Sequence, residues 1–513
     1  MWTKTLQGVI FFGGVGLGGV VVSHSGCGKD AGQVLSMLPP LAHAPLTTQV
    51  RRVPLHGKGP DLGNPALPEN LPTYLKEGYG EFLIMPGEPH TARTLDGSPT
   101  PRMGAGAKRI LRFGTMGDFQ VMDDESPLRV GFLDAKGATQ AALRPQDPYM
   151  CQLANAAVRT MNAVHRMDPL SMVFVGGDIL DSAHGNELDW ALAILRGGQP
   201  VECDSGDDDD LVPGPNNDPK DSFLPEGLAV PWYWVPGNHD FLIQGNVVVD
   251  DAKVDAALGD FAPLGTRDYR RGGSLAQKAI IPDPRRRPMN PRELIERMAL
   301  DGNGHGVSVE QASTHSGTYF FDMPDSPVRF LIMDTASKTG SAQAVVRKSD
   351  FERTIRPAFD GALAQRKWVV ILSDSPIGNF KQADKPFGTE VPDPMTEVDW
   401  LRETDRYPNL LFMLGRGSYQ LAHAIKTPSG RLYWELLNAA MSDHPQQLRI
   451  FELWDGDNGF LMLRATCVDL ATEDDPLAQE AERRAVIDFT STWMAGSRDV
   501  DGNRNVDLWI RKP

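Results

Sequence analysis

Several things are scarce in this chain, and each scarcity excludes something. Only four cysteines occur in 513 residues, with no Cys-x-x-Cys pair and no Cys/His finger spacing. A dense disulfide framework and a zinc finger are therefore both out. Positive charge is short as well, with 51 Lys+Arg against 67 Asp+Glu and a net charge of −16. That balance counts against a nucleic-acid binder, whose affinity rests on clustered cations. No P-loop, dinucleotide fingerprint or Gly-x-Ser-x-Gly elbow is present, so nothing supports an NTPase, a dehydrogenase or a serine hydrolase. The sustained apolar stretch near the start covers residues 8–22 and is rich in Gly, whereas a membrane-spanning helix needs about 20 apolar residues.

What is present describes a folded, loop-rich chain. Hydrophobic residues make up 41% and charged residues 23%, which is ordinary for a protein with a real core, and 51 Gly and 40 Pro imply many turns. The length allows one large α/β domain with insertions or roughly three domains. Lys4 followed by residues 8–22 and then by Ser25-Gly26-Cys27 resembles a bacterial export signal with a lipoprotein processing site, although His24 stands where an aliphatic residue is usual. Residues 1–27 are thus read as a targeting segment, which places the protein in the cell envelope, either periplasmic or anchored through a lipid on Cys27. That lipid would be its one membrane contact. The other cysteines, Cys151, Cys203 and Cys467, suggest no obvious pairing. Residues 28–107 are Pro- and Gly-rich and read as an extended region wrapping onto the domain surface. Residues 108–513 carry the domain, with an acidic insertion near 203–222.

From Arg109 onward a short apolar run is repeatedly followed by a polar turn. Ile110-Leu111-Arg112-Phe113 precedes Gly117-Asp118-Phe119-Gln120, and Met172-Val173-Phe174-Val175 precedes Gly177-Asp178. Trp232-Tyr233-Trp234-Val235 precedes Gly237-Asn238-His239-Asp240, Val369-Val370-Ile371-Leu372 precedes Asp374, and residues 410–414 precede Arg416. Unbroken apolar runs suit strands buried on both faces. Helical spacing at Met150, Leu153, Ala157, Met161 and Val164, and helical patterns over 350–366 and 397–403, alternate with them. Such alternation predicts a largely buried sheet whose loops meet at the carboxyl ends of the strands. Capping of a following helix explains any one of these Asp or Asn residues, but accounts poorly for all five loops.

These residues resemble the calcineurin-like metallophosphoesterase superfamily. Gly237-Asn238-His239-Asp240 is the most specific match, and Gly177-Asp178 stands at a fitting distance before it. Met122-Asp123-Asp124-Glu125-Ser126-Pro127, Asn186-Glu187-Leu188, Gly304-His305-Gly306 and Pro445-Gln446-Gln447 are similar to a bacterial branch, so the likeness runs over residues 108 to 495. It implies a four-layer sandwich, two mixed β-sheets flanked by helices, and a phosphoester hydrolase with two metals bridged by a carboxylate. Position by position, Asp118 matches a ligand of the first metal, Asp178 the bridging carboxylate, Asn238 a ligand of the second metal and His239 the catalytic imidazole. Elsewhere the imidazole ligands are replaced, by Gln120, Asp374, Arg416 and Ser418.

Two outcomes follow from that replacement. Asp118, Gln120, Asp178, Asn238 and Asp374 could hold Mg²⁺, Mn²⁺ or Ca²⁺ through oxygen, in place of a His-bound Zn/Fe pair, with Arg416 beside the phosphate. Alternatively no metal binds, and Arg416 neutralises the carboxylates in its place; this second outcome is preferred, because a guanidinium repels a divalent ion at that range. The function expected is a hydrolase by descent with weakened or lost activity. The alternative is a non-catalytic envelope protein that uses the old cleft for a phosphate-bearing ligand or a protein partner. His184 reads as a surface loop residue, His305 as an edge of the cleft, His165 as a helix-end residue and His423 as a strand residue. The run over 204–210 reads as a solvated loop, with Ca²⁺ binding as the alternative, and 499–507 lacks the Gly and Glu of an EF-hand.

Overall fold

A run such as Val369-Val370-Ile371-Leu372 can bury every side chain only if its strand is covered on both faces, and such strands organise the fold. The computed structural model describes residues 20–21, 34–137, 139–206, 209–269, 273–381, 387–417, 419–493 and 502–512. Cys27, Ser418 and all but two residues of the expected targeting segment lie outside the described residues.

The principal elements begin with β1 (Thr91–Thr94), β2 (Lys108–Met116), α1 (Met150–Met167), β3 (Met172–Gly176), α2 (Gly185–Arg196) and β4 (Trp232–Val235). There follow β5 (Tyr319–Asp322), β6 (Val328–Met333), α3 (Arg356–Ala364), β7 (Trp368–Ser373), α4 (Glu397–Thr404) and β8 (Leu410–Arg416). The last are β9 (Leu421–Lys426), β10 (Leu432–Asn438), β11 (Gln447–Asp455), β12 (Phe460–Asp469), α5 (Pro476–Thr490) and β13 (Val506–Arg511). A seven-stranded sheet has the order β1-β13-β12-β11-β2-β3-β4, and a six-stranded sheet the order β5-β6-β7-β8-β10-β9. Both are mixed. In the first, β2, β3 and β4 run parallel while β11, β12 and β13 pair antiparallel. In the second, β6, β7, β8 and β10 run parallel, with antiparallel β5 and β9 at the edges.

Alternate side chains of each strand go to different cores. Val370 and Leu372 join the large core shared by the two sheets, whereas Val369 and Ile371 join a second core with Phe351, Phe359 and Trp400 beneath α3 and α4. Phe113 on β2 and Phe330 on β6 meet edge to face at 5.3 Å, and Phe174 on β3 lies 4.9 Å from Phe330, so the sheets face each other through aromatic rings. Gly114, the next residue on β2, leaves room on the other face for Met161 of α1. The expected helix is observed, and it is buried on nearly every side.

The Pro- and Gly-rich region enters the large sheet as β1. The carbonyls of Pro39 and Leu41 accept from Arg159 Nη2 and Arg166 Nη2 of α1 at 2.9 and 3.1 Å. Arg504 pairs with Glu88 at 2.7 Å. Cys151 on α1 is disulfide-bonded to Cys203, so two of the cysteines with no obvious partner in sequence join α1 to the acidic insertion. Cys467 is free and buried on β12, where burial pushes its thiol up to about 12. No helix among the described residues is long and apolar enough to cross a membrane.

Candidate functional site

Five strands deliver their carboxyl ends to one place. Asp118 follows β2, Asp178 follows β3, Asn238 follows β4, Asp374 follows β7, and Arg416 closes β8. The loops after β2 and β3 are laced together by backbone bonds from Asp118 N to Gly177 O at 2.6 Å and from Gln120 N to Asp178 O at 3.0 Å. Holding them there forces Asp118, Gln120 and Asp178 into the left-handed region, with φ of 57°, 45° and 63°. Non-glycine residues adopt it at a cost of about 1–3 kcal/mol each, and only where the surroundings over-determine them. Gly177 and Gly237 make the crowding possible, since a Cβ on either would stand 2.5 Å or less from a carboxylate oxygen of Asp374 or Asp178.

Arg416 sits at the centre. Its Nε lies 2.6 Å from Asp374 Oδ1, Nη1 lies 3.2 Å from Asp118 Oδ2, and Nη2 lies 2.7 Å from Asp178 Oδ2. Nη2 also faces Asn238 Oδ1 at 3.5 Å, and the Arg416 backbone N–H donates to the Asp374 carbonyl at 2.9 Å. The carboxylates are at most 3% exposed, while the guanidinium side chain keeps 28%. Burial disfavours the charged guanidinium, but the three carboxylates outweigh it and hold its pKa well above the usual arginine value. Burial also pushes the Asp178 carboxyl up, against the pull of Arg416. The 2.7 Å contact lacks hydrogen-bond alignment, so Asp178 Oδ2 is held by charge alone.

His239 stands beside this cluster, 17% exposed. Its backbone N–H donates to Asp178 Oδ1 at 2.8 Å and its Nδ1–H donates to the Asp181 carbonyl at 2.9 Å. Burial would lower its pKa, but the Asp178 charge and the Asp181 carboxylate prevail and raise it to about 9, so the ring is an imidazolium at neutral pH. Beneath it Arg129 bridges Asp181 and Asp147, at 2.7 and 2.8 Å, and Arg129 outweighs burial to keep Asp181 well below the ordinary carboxylate range. Arg144 joins the same layer through Asp147 at 2.9 Å and donates to Gln120 Oε1. Sequence reasoning missed Arg129, Arg144 and Asp147, because no apolar run leads into them.

The oxygen donors therefore converge on one point, and a guanidinium already takes it. Gln120 turns away, its carbonyl receiving Arg144 and its amide donating to Asp118 Oδ1 at 2.7 Å. Asn238 keeps its carbonyl toward Arg416 while its amide donates to Gly245 O at 2.8 Å. A divalent ion some 4 Å from the guanidinium would meet a repulsion of about 8 kcal/mol at an effective dielectric of 20. With Arg416 in place the residues do not fit a metal. A cavity of about 40 Å³ between the strand ends, lined by Gly117, Gly176, Ser373 and Arg416, has room for only a few waters. A ligand would have to dock at the mouth, where Arg416 and His239 are exposed.

His184, His305 and His165 take structural roles. His184, expected on the surface, is fully buried, with Nε2 on Ser126 Oγ and Nδ1 on the Ser182 carbonyl, both at 2.7 Å. Burial lowers its pKa, which fits a neutral ring inside the N-terminal cap of α2. His305, read as an edge of the cleft, stacks on Trp232 at 3.5 Å and bonds Asp301 at 2.8 Å, leaving 7% exposed. His165 does end α1, where Nδ1 accepts the Leu170 N–H. Elsewhere, Glu125, Asp204 and Asp209 form one acidic group that could hold a metal ion, and Asp210, Asp218 and Asp221 form another. No protein-family model matches this chain, and no curated protein matches it.

Proposed function

We propose that this chain has the four-layer sandwich of the calcineurin-like metallophosphoesterases and serves as an exported, non-hydrolysing binding protein of the cell envelope. The observation that carries this reading is the position of Arg416, whose three guanidinium nitrogens lie on Asp118, Asp178 and Asp374. A tethered cation balances the carboxylates that a dinuclear centre would otherwise use, and it offers no water to activate. The fold reading is supported by two facing mixed sheets with helices outside them and by the strand-end placement of Gly177-Asp178 and Gly237-Asn238-His239-Asp240. Export is supported by the Cys151–Cys203 disulfide, a bond suited to an oxidising compartment.

The ligand we favour bears a phosphate, because the cations Arg416 and His239 keep 28% and 17% of their side chains exposed at the mouth. Hydrolysis of aryl phosphomonoesters and diesters by the wild type and by Asp178→Asn tests the loss of catalysis. Equal trace rates are expected. A rate in the wild type that Asp178→Asn abolishes, or a transition metal or Mg²⁺ that survives dialysis and is lost in that variant, refutes it. Titration with inorganic phosphate should raise the melting temperature of the wild type but not of His239→Ala. No effect on the wild type would leave the phosphate assignment wrong.

A further inference from the structure

The acidic insertion holds a second polar centre, remote in sequence from the strand-end loops and independent of how that cleft is read. Disulfide-bonded Cys203 fixes the start of the insertion to α1, and Ser205 Oγ donates to Asp123 Oδ1 at 2.9 Å. Asp204 between them, expected in a solvated loop, is 1% exposed. Its Oδ2 accepts the Asp209 backbone N–H at 3.2 Å. Its Oδ1 receives no hydrogen bond, and its nearest cation is Lys220 Nζ at 3.9 Å. The side chain against Asp204 is that of Glu125, another acid. Asp209 Oδ2 is also buried without a hydrogen-bond donor. One carboxylate oxygen each from Glu125, Asp204 and Asp209 lies within 4.8 Å of the other two.

Arg286 matches Asp123 at 2.7 Å, and Lys220 and Arg267 lie 2.8 and 3.5 Å from Asp124. Lys220 also touches Glu125 at 3.3 Å, and Arg267 is shared with Asp147 at 3.7 Å. Among the described residues, Arg286, Lys220 and Arg267 are thus the cations set against Asp123, Asp124 and Glu125, and the one facing Asp204 Oδ1 stands off at 3.9 Å. Buried carboxylates pressed together with undonated oxygens are costly unless a cation or a proton lies among them.

We propose that Glu125, Asp204 and Asp209 bind one Ca²⁺ ion. The donors are all oxygen, which excludes a preference for Zn²⁺, and three carboxylates can supply up to six of the 6–8 oxygens that Ca²⁺ takes in irregular geometry. Mg²⁺ demands a near-ideal octahedron and suits such a loop less well. Lys220 is held by Asp124 at 2.8 Å and by the Tyr269 ring, 4.5 Å from its Nζ. The ion would tie the insertion to the loop that follows Asp123.

Calorimetric titration of the chelator-treated, disulfide-intact full chain with CaCl₂ tests this. One equivalent is expected to bind, with a rise in melting temperature. Asp209→Asn, a substitution at a partly exposed residue, should weaken binding roughly tenfold or more, as affinity follows the ligand charge count. Asp218→Asn, in the neighbouring acidic group, should leave it unchanged, and so should Asp178→Asn in the cleft. A wild type that takes up no Ca²⁺, as a shared proton in the cluster would produce, overturns the proposal. So does an Asp209→Asn protein that binds like the wild type, or binding lost in Asp218→Asn instead.

Discussion

Replacing Arg416 by Met keeps an apolar stem and removes the charge that three buried carboxylates surround. Asp118, Asp178 and Asp374 would then repel one another in a site where none is more than 3% exposed. Breaking a buried ion pair from one side costs about 3–5 kcal/mol, and the 28% exposure of Arg416 places this case near the lower end, about 3 kcal/mol at pH 7. The sign of the pH response follows from the carboxylates. Protonating them relieves the repulsion in Arg416→Met, so its deficit should shrink as pH falls toward the carboxylate range, beginning early because burial has already pushed Asp178 up. The same variant uncovers the converging oxygens of Asp118, Asp178, Asn238 and Asp374. MnCl₂ at about a hundredfold excess over its dissociation constant should restore about 2.7 kcal/mol to the variant. Urea denaturation at neutral and mildly acidic pH, with and without MnCl₂, reads all three effects. If Arg416→Met matches the wild type within about 0.5 kcal/mol, or the wild type gains as much from Mn²⁺ as the variant, then Arg416 is not the counter-ion.

Three further outcomes bear on the surroundings. The folded-state pKa of His239, raised to about 9, gives stability that is fully present below the ordinary value near 6.5 and lost as pH climbs through about 9. His239→Gln should therefore lack a slope worth up to about 3 kcal/mol between pH 6.5 and 9.5, and parallel denaturation curves would rule the imidazolium out. The Cys151–Cys203 bond spans a sequence separation of 52 residues, so reducing it should cost about 2–4 kcal/mol in urea denaturation. Peptide mapping after alkylation of the native protein should find Cys467 unmodified, and its rapid labelling would contradict the buried, raised thiol.

How far the sequence was legible depended on which signal carried each residue. Asp118, Asp178, Asn238, Asp374 and Arg416 each follow an apolar run, and strand direction alone brings them together at the carboxyl ends. The same signal stands at β6, where Val328–Met333 ends on Asp334, and it went unread although Asp334 pairs with Lys338 at 2.6 Å. Arg129 and Arg144 lie in irregular chain and Asp147 opens a single 3₁₀ turn before α1, where no periodicity marks a side chain as inward. Asp204 misled for the opposite reason. A run of acids ordinarily faces water, yet the disulfide one residue earlier draws this one inside. His184 was misplaced likewise, since a polar loop residue that completes a helix cap cannot be told by composition from an exposed one.

The placement of β13 has a kinetic consequence. It lies between β12 and β1, pairing antiparallel with the first and parallel with Thr91–Thr94, more than 400 residues earlier in the chain. Until β13 arrives, β1 has no neighbour in its sheet and β12 presents an open edge. Contacts of such separation carry a large loop-closure entropy and form late. A chain emerging from the ribosome could collapse around β2, β3, β4 and α1, yet could not complete the sheet before its residues past 506 were free. An incompletely joined sheet of that kind leaves β1 and the edge of β12 unpaired, and the arrival of β13 ends that interval.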